Sequence, residues 1–243
     1  MSAILRTMNT RQAKLLAAII DQFIQTATPI GSHHILEAGS FCVSCATIRN
    51  EMRYLGEEGF LEQPHVSAGR IPTAKGYQMY VKEFMEPSLQ EQRVRQKFET
   101  LKDLYFRRKD QERVYEAVSL LSQMVTNVAF ATVPHKDRVY YLGLANTLRQ
   151  PEFQTHPLLA SGIVEVLEHK IGDLLEHIEL TDDVRCYIGN EHVLPEIQSC
   201  SLIVTRYQLR GETGAIGIIG PMRMDYAYDT VALELVADLL RST

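Results

Sequence analysis

Two sets of residues with chemical potential overlap in one stretch, FCVSCATIRNEM, residues 41–52. Cys42 and Cys45 form a Cys-x-x-Cys pair, a spacing used by zinc and dithiol sites. Thr47, Arg49, Asn50 and, just beyond, Arg53 are of the types that read base edges. Arginine pairs with guanine through two hydrogen bonds, asparagine pairs with adenine, and threonine touches a thymine methyl or a phosphate. The metal reading is the weaker one. A zinc site of the strong kind shows two ligand pairs, whereas here only His33 and His34 lie nearby and Cys186 and Cys200 fall far along the chain in apparent strands. A thioredoxin-like dithiol would follow a strand inside a βαβ unit, which this context lacks. The expectation is that Cys42 and Cys45 pack a tight turn, that Cys186 and Cys200 are core residues, and that the protein holds no metal or cofactor.

The elements that must position these side chains are legible from periodicity. Leu15, Ala18, Ile19, Phe23 and Ile24 recur at helical spacing after Asn9 or Thr10 as N-cap, giving a helix over 10–25. A break at Pro29 and Gly31, Ser32 as N-cap and a stop at Gly39 give a short second helix. Ser44 caps a third helix through Glu58, with Ile48, Met52 and Leu55 inward and Thr47, Asn50, Arg53 and Tyr54 on the other side. An ordinary solvated face, with Arg49 and Arg53 pairing with Glu57 or Glu58, is the competing account of the same arginines. After Gly59, FLEQPHVSAGRIPT reads as a hairpin whose loop carries His65, Ser67 and Arg70, and Thr73 caps a further helix that begins with Lys75 near its start. Three helices and a hairpin make a winged helix-turn-helix. Ser32, His33 and His34 at a helix start are a second candidate phosphate contact.

Residues 86–124 are charged and helix-prone and are expected to link the halves. Beyond them, TNVAFATV, RVYYLGLA, VRCYIG, SLIVTRYQL and AIGIIG read as strands, HPLLASGIVEVLEHKIGDLLEHI as helix, and Asp225 to Arg241 as a closing helix. The clearest hairpin has its turn placed at Gly211 to Gly214, and Gly220-Pro221 is expected to turn the chain into the last helix. The fold class is therefore α+β, a winged-helix domain over 1–85, a helical linker over 86–124, and an α+β domain with a mainly antiparallel sheet over 125–243.

Composition narrows the function classes. The chain has 243 residues and a net charge of −5, divided as +1 over residues 1–85 and −6 over the rest, so the less acidic part is the one with the candidate reading helix. No apolar stretch is long enough to span a bilayer and no secretory leader is visible, so a cytoplasmic protein without a membrane partner is expected. Four cysteines are too few for a disulfide scaffold. No nucleophile, base and orienter set and no phosphate-cradling glycine loop is present in the C-terminal half, since GIIGPMRMDY lacks the Gly-Lys-Ser/Thr ending. An enzyme is not expected.

The stretch VSCATIRNEMRYLGEEGFLEQPHVSAGRIPTAKGYQMYV, and separately GLANTLRQPEF, CSLIV and GIIGPMRMDY, resemble in order the heat-inducible transcription repressor family, HrcA. The family usually has proline at the position of Cys45 and Thr or Ser at Val66, and its members are longer by roughly a hundred residues, about one small domain. The shortfall falls where VTNVAFATVPHKD runs almost directly into RVYYLGLANTL, the place of an inserted segment that contributes to dimerisation in the family. The resemblance implies a winged helix followed by a reduced GAF-like domain. It implies a repressor of chaperone genes bound as a homodimer to an inverted-repeat operator in double-stranded DNA, with a chaperonin of the GroEL type as partner. The implied DNA-binding residues are Ser44, Thr47, Arg49, Asn50, Arg53, Tyr54, His65, Ser67, Arg70 and Lys75. Two other functions compete: a regulator whose C-terminal domain senses a small molecule, and a thiol- or metal-responsive regulator using Cys42 and Cys45.

Overall fold

The computed structural model describes residues 8–39, 41–105, 110–134, 138–192, 194–209 and 211–241. These fall into two compact units, residues 1–85 and 86–243.

The first unit is helical with one small hairpin. Helix α1 (Thr10–Thr26) starts at Asn9, whose side chain accepts from the Gln12 amide while Gln12 reaches back to the Asn9 amide, both at 2.9 Å. Leu15, Leu16, Ile19 and Ile20 form its buried stripe. Helix α2 (Ser32–Glu37) begins one residue earlier than expected: Gly31 is the cap, and Ser32 is already helical and buried. Helix α3 (Cys45–Glu57) buries Ile48, Met52 and Leu55 as its spacing requires. Strands β1 (Leu61–Glu62) and β2 (Ile71–Pro72) pair antiparallel, and α4 (Ala74–Glu83) starts at Thr73, whose hydroxyl accepts from the Gly76 amide at 3.2 Å. The hairpin is tied to the loop before α2 by two backbone bonds of 2.9 Å between Ile30 and Arg70.

The second unit is α+β. Its sheet has order β4 (Val139–Leu142), β3 (Val128–Thr132), β7 (Glu212–Pro221), β6 (Cys200–Leu209), β5 (Arg185–Ile188), antiparallel throughout. Side chains alternate between its two faces. Val128, Phe130, Cys200, Leu202, Val204 and Ile219 meet Phe153, Ile163, Val166, Leu167, Ile171 and Leu174. These last belong to α8 (Pro151–Thr155), α9 (Pro157–Glu165), a π-helical stretch (Val166–Lys170) and α10 (Ile171–Glu176), with the short α7 (Leu144–Leu148) before them. On the opposite face α11 (Tyr226–Arg241) packs along β6 and against α5 (Glu91–Tyr105) and α6 (Asp110–Met124). Covering both faces explains why β6 and β7 are buried along most of their length.

Three expectations are adjusted here. Segment 86–124, expected as a linker, packs its helices within the second unit, where Val94, Phe98, Val114, Val118 and Leu121 are buried. The β6–β7 turn is tighter than residues 211–214, because Leu209 already pairs with Glu212 and Gly214 opposes Tyr207 inside the ladder. Gly220 and Pro221 are still strand, paired with Ser201 and Cys200. A Cβ on Gly220 would collide with the Asn127 side chain, so that glycine is set by a close approach and not by a bend.

Candidate nucleic-acid interface

Helix α3 is held from beneath and left free on one side. Ile48 and Leu55 are completely buried and Met52 nearly so. Glu51, between them in sequence, is also buried; its Oε1 accepts from both Nε, at 3.0 Å, and Nη2 of Arg11 on α1. That ion pair fixes the rotation of α3 about its axis more tightly than apolar packing alone, because a partly desolvated carboxylate left without its partner is costly. Nothing in the sequence pattern marked Glu51 or Arg11, since neither breaks the helical periodicity and their separation is 40 residues.

The opposite side of α3 carries the candidate readers. Ser44 caps the helix, accepting from the Thr47 amide at 3.1 Å, and the two hydroxyls lie 2.9 Å apart. Arg49, Asn50 and Arg53 are exposed, while Thr47 and Tyr54 are half-buried. Arg53 faces Glu57 at 3.7 Å with both side chains about two-thirds exposed, a contact that contributes little in water and is easily exchanged. Arg49 reaches back toward the Cys45 sulfur at 3.8 Å, which in turn lies 3.0 Å from the Ser32 hydroxyl. Cys45 therefore packs where α2 meets the start of α3. Cys42 is exposed, all four cysteines are free, and no group of three or more metal-ligating side chains occurs among the described residues.

The hairpin divides its candidate residues in two. His65 and Ser67 are exposed in a loop that the Gln63 amide braces by donating to the carbonyls of Val66, at 3.0 Å, and Ala68, at 2.9 Å. Val66 at the tip is 98% exposed. Arg70 and Lys75 are instead occupied at the end of α3. The Arg70 guanidinium lies against Gly56, and the Lys75 ammonium donates to the Glu58 carbonyl at 2.6 Å while sitting 4.4 Å from the centre of the Phe60 ring. A cation on the final carbonyls of a helix is favourable to the helix itself. His34, though exposed, folds back on its own backbone, its Nδ1 accepting from the Gly31 amide at 3.4 Å at the start of α2.

In the second unit the conspicuous motifs converge on one buried polar chain. Gln150 donates to the Asn127 side-chain oxygen Oδ1 at 2.8 Å, and the Asn127 side-chain amide donates to Asp229 at 3.2 Å. Arg223 donates to Gln150 at 3.3 Å and to Glu152 at 2.7 Å. GLANTLRQPEF and GIIGPMRMDY thus meet at Asn127, whose backbone and side chain are approached closely by Gly143 and Gly220. Burial, reinforced by the Asp225 carboxylate, pushes Asp229 up to about 8. Burial also raises the thiols of Cys186 and Cys200 to about 12, which disfavours the reactive thiolate in both; Cys200 is a core residue as expected, whereas Cys186 is only half-buried.

A polar, exposed helix fixed on a small helical unit beside a hairpin, joined to an α+β unit, is the build of a DNA-binding transcription regulator. More particularly, the chain belongs to the HrcA family: the family model described as HrcA protein C terminal domain matches residues 66–228. Proteins named heat-inducible transcription repressor HrcA from Brevibacillus brevis and Moorella thermoacetica are 27% and 28% identical to it, covering 95% and 97% of this chain and 96% and 98% of their own. The first of these alignments runs over 333 residues against a chain of 243, so the surplus faces gaps in this chain and the protein is a shortened member. A crystal structure described as that of a hypothetical protein superposes with a TM-score of 0.84 at 19% identity, over 97% of this chain and 98% of its own, which shows a shared fold. No helix among the described residues is long and apolar enough to cross a membrane.

Proposed function

We propose that this protein is a cytoplasmic repressor of heat-shock chaperone genes that binds an inverted-repeat operator, with α3 as recognition helix of a winged helix-turn-helix and the second unit as a reduced GAF-like association domain. The observation that carries the reading is the free polar side of α3, with Arg49, Asn50 and Arg53 exposed on a helix anchored by Ile48, Leu55 and the Arg11–Glu51 pair. Rigid presentation matters because base reading requires side chains placed to within hydrogen-bond tolerance. In this account Arg49 and Arg53 take a guanine edge or a phosphate, Asn50 an adenine, and Ser44, Thr47 and Tyr54 the flanking backbone or a thymine methyl. His65 and Ser67 meet the adjacent groove or phosphates from the hairpin loop. Arg70 and Lys75 hold the end of α3, and any contact they make with DNA is secondary to that.

One recognition helix covers one half-site, so the active form is a homodimer with its two helices about one turn of DNA apart or a multiple of it. By kinship, a chaperonin of the GroEL type restores the repressor after heat. The test is a footprint of the purified protein on its own genome's chaperone promoters with its mass measured in parallel. A protected inverted repeat bound by two chains supports the reading; absence of any protected repeat overturns it. Asn50→Ala and Arg53→Ala are expected to weaken operator binding by about 1–3 kcal/mol with a smaller effect on random DNA. Equal losses on both DNAs would reduce these residues to phosphate contacts.

A further inference from the structure

The second unit contains an open cleft of about 570 Å³, within the range of small-molecule sites. Arg93, Lys97 and Thr100 of α5 line one side; Thr126, after α6, and Tyr228 and Asp229 of α11 line the other. Arg93 and Lys97, one helical turn apart, stand over the Tyr228 ring at 5.4 and 5.8 Å from its centre. The ring face attracts cations and holds the guanidinium in place without neutralising it. Lys97 spends one of its three N–H donors on the Met124 carbonyl at 2.7 Å. Among the described residues Arg93 makes no ion pair with a carboxylate.

Two acidic side chains also line the cleft, Asp225 and Asp229, against the two cations Arg93 and Lys97. The Asp225 carboxylate keeps its charge but is turned to the start of α11, where it accepts from the Tyr228 amide at 3.2 Å. Asp229 is buried at the cleft wall against Asn127. With its acidity reduced by burial, Asp229 stays largely protonated at neutral pH, so it offers a hydrogen-bond donor and little negative charge.

We propose that this cleft binds a small organic anion, its carboxylate or phosphate head seated between Arg93 and Lys97 and the rest of the molecule directed toward Thr126 and Asp229. A guanidinium presents a planar fork of donors that fits either head group, and the adjacent ammonium adds a point charge. The cleft lies wholly in the second unit, so this inference stands whether or not the DNA reading of the first unit holds.

The test is calorimetric titration and thermal unfolding of the full-length protein with succinate, 3-phosphoglycerate and inorganic phosphate, against sodium chloride at matched ionic strength. Saturable binding of at least one probe is expected, with Tm rising by about 5 °C at a hundredfold excess over Kd. Succinate alone would identify a carboxylate site, and the phosphates alone a phosphate site. Arg93→Met, on an exposed helix position, is expected to cut affinity at least tenfold, as is Lys97→Met, whereas Arg95→Met on the same helix outside the cleft leaves it unchanged. No probe acting beyond sodium chloride, or undiminished binding by both the Arg93 and Lys97 variants, would overturn the proposal.

Discussion

Lys75 shows how a single cation can look like a DNA contact and serve a helix end. Its ammonium is 2.6 Å from the Glu58 carbonyl and 4.4 Å from the Phe60 ring centre, and both interactions are lost in Lys75→Met. The expected outcome is a loss of about 1 kcal/mol in stability, read by chemical denaturation. The slope of operator affinity against salt should change little, because holding the end of α3 is the main role of Lys75 and any phosphate contact is secondary. Ala27, which ends α1 with φ of 53°, is the one described non-glycine residue at positive φ. Ala27→Gly removes that strain and should raise stability by about 0.5–1 kcal/mol in the same measurement. The chemical types of Arg49, Asn50 and Arg53 were plain in the sequence, and so was the outward side for Asn50 and Arg53, because helical spacing alone sets it. The occupation of Arg70 and Lys75 was hidden, since it depends on where the hairpin returns relative to the end of α3.

At the scale of elements, the first unit depends on a hairpin pressed against the loop before α2. A Cβ on Gly69 would stand 2.5 Å from the Ile30 carbonyl carbon and 2.8 Å from its nitrogen, closer than backbone atoms allow. Gly69→Ala must therefore push the hairpin away and break the two Ile30–Arg70 backbone bonds. The expected cost is about 1–3 kcal/mol, with faster amide exchange at Ile30 and Arg70 as the local readout and weakened operator binding as the functional one. Helix boundaries followed their caps: Asn9, Ser44 and Thr73 each accept a hydrogen bond at a helix start. Ser32 did not, because a serine whose hydroxyl turns toward Cys45 is no longer free to cap, and sequence cannot distinguish those two uses. The β6–β7 turn and the strand course of Gly220-Pro221 were misread for a related reason: glycine serves close approach as readily as it serves turns.

At the scale of the molecule, acid–base behaviour gathers at Asp229. Its folded value is about 8 against an ordinary aspartate near 4, with desolvation first among the causes and Asp225 second; Asn127 and Lys97 act in the opposite direction. Below about pH 4 both folded and unfolded chains hold the proton, so the protonated buried group costs nothing further. As pH rises from 4 to 8 only the unfolded chain releases it, and stability falls through that window. Asp229→Asn keeps an acceptor for the Asn127 amide and removes the titration. It should be neutral near pH 4 and stabilise by a few kcal/mol at pH 8, measured as Tm against pH. A constant difference across that range would show that Asp229 titrates alike in the folded and unfolded chains, so that burial does not raise it.

Local features, the caps, the periodic stripes and the alternation of β6 and β7, are carried by neighbours within a few residues, so the sequence by itself determined the order of the strands and of the longer helices, the α+β class and the polar side of α3, but not the short helices α7 and α8, where Leu144 and Ala145 were expected as strand. Pairings over long separations were decided only in three dimensions: Arg11 with Glu51, Ile30 with Arg70, and Asn127 with both Gln150 and Asp229. The placement of α5 and α6 against α11 belongs with them, and so does the cleft that α5 makes with Tyr228. Such contacts follow from how packed layers bring distant segments together, and no local propensity encodes which distant partner will be met.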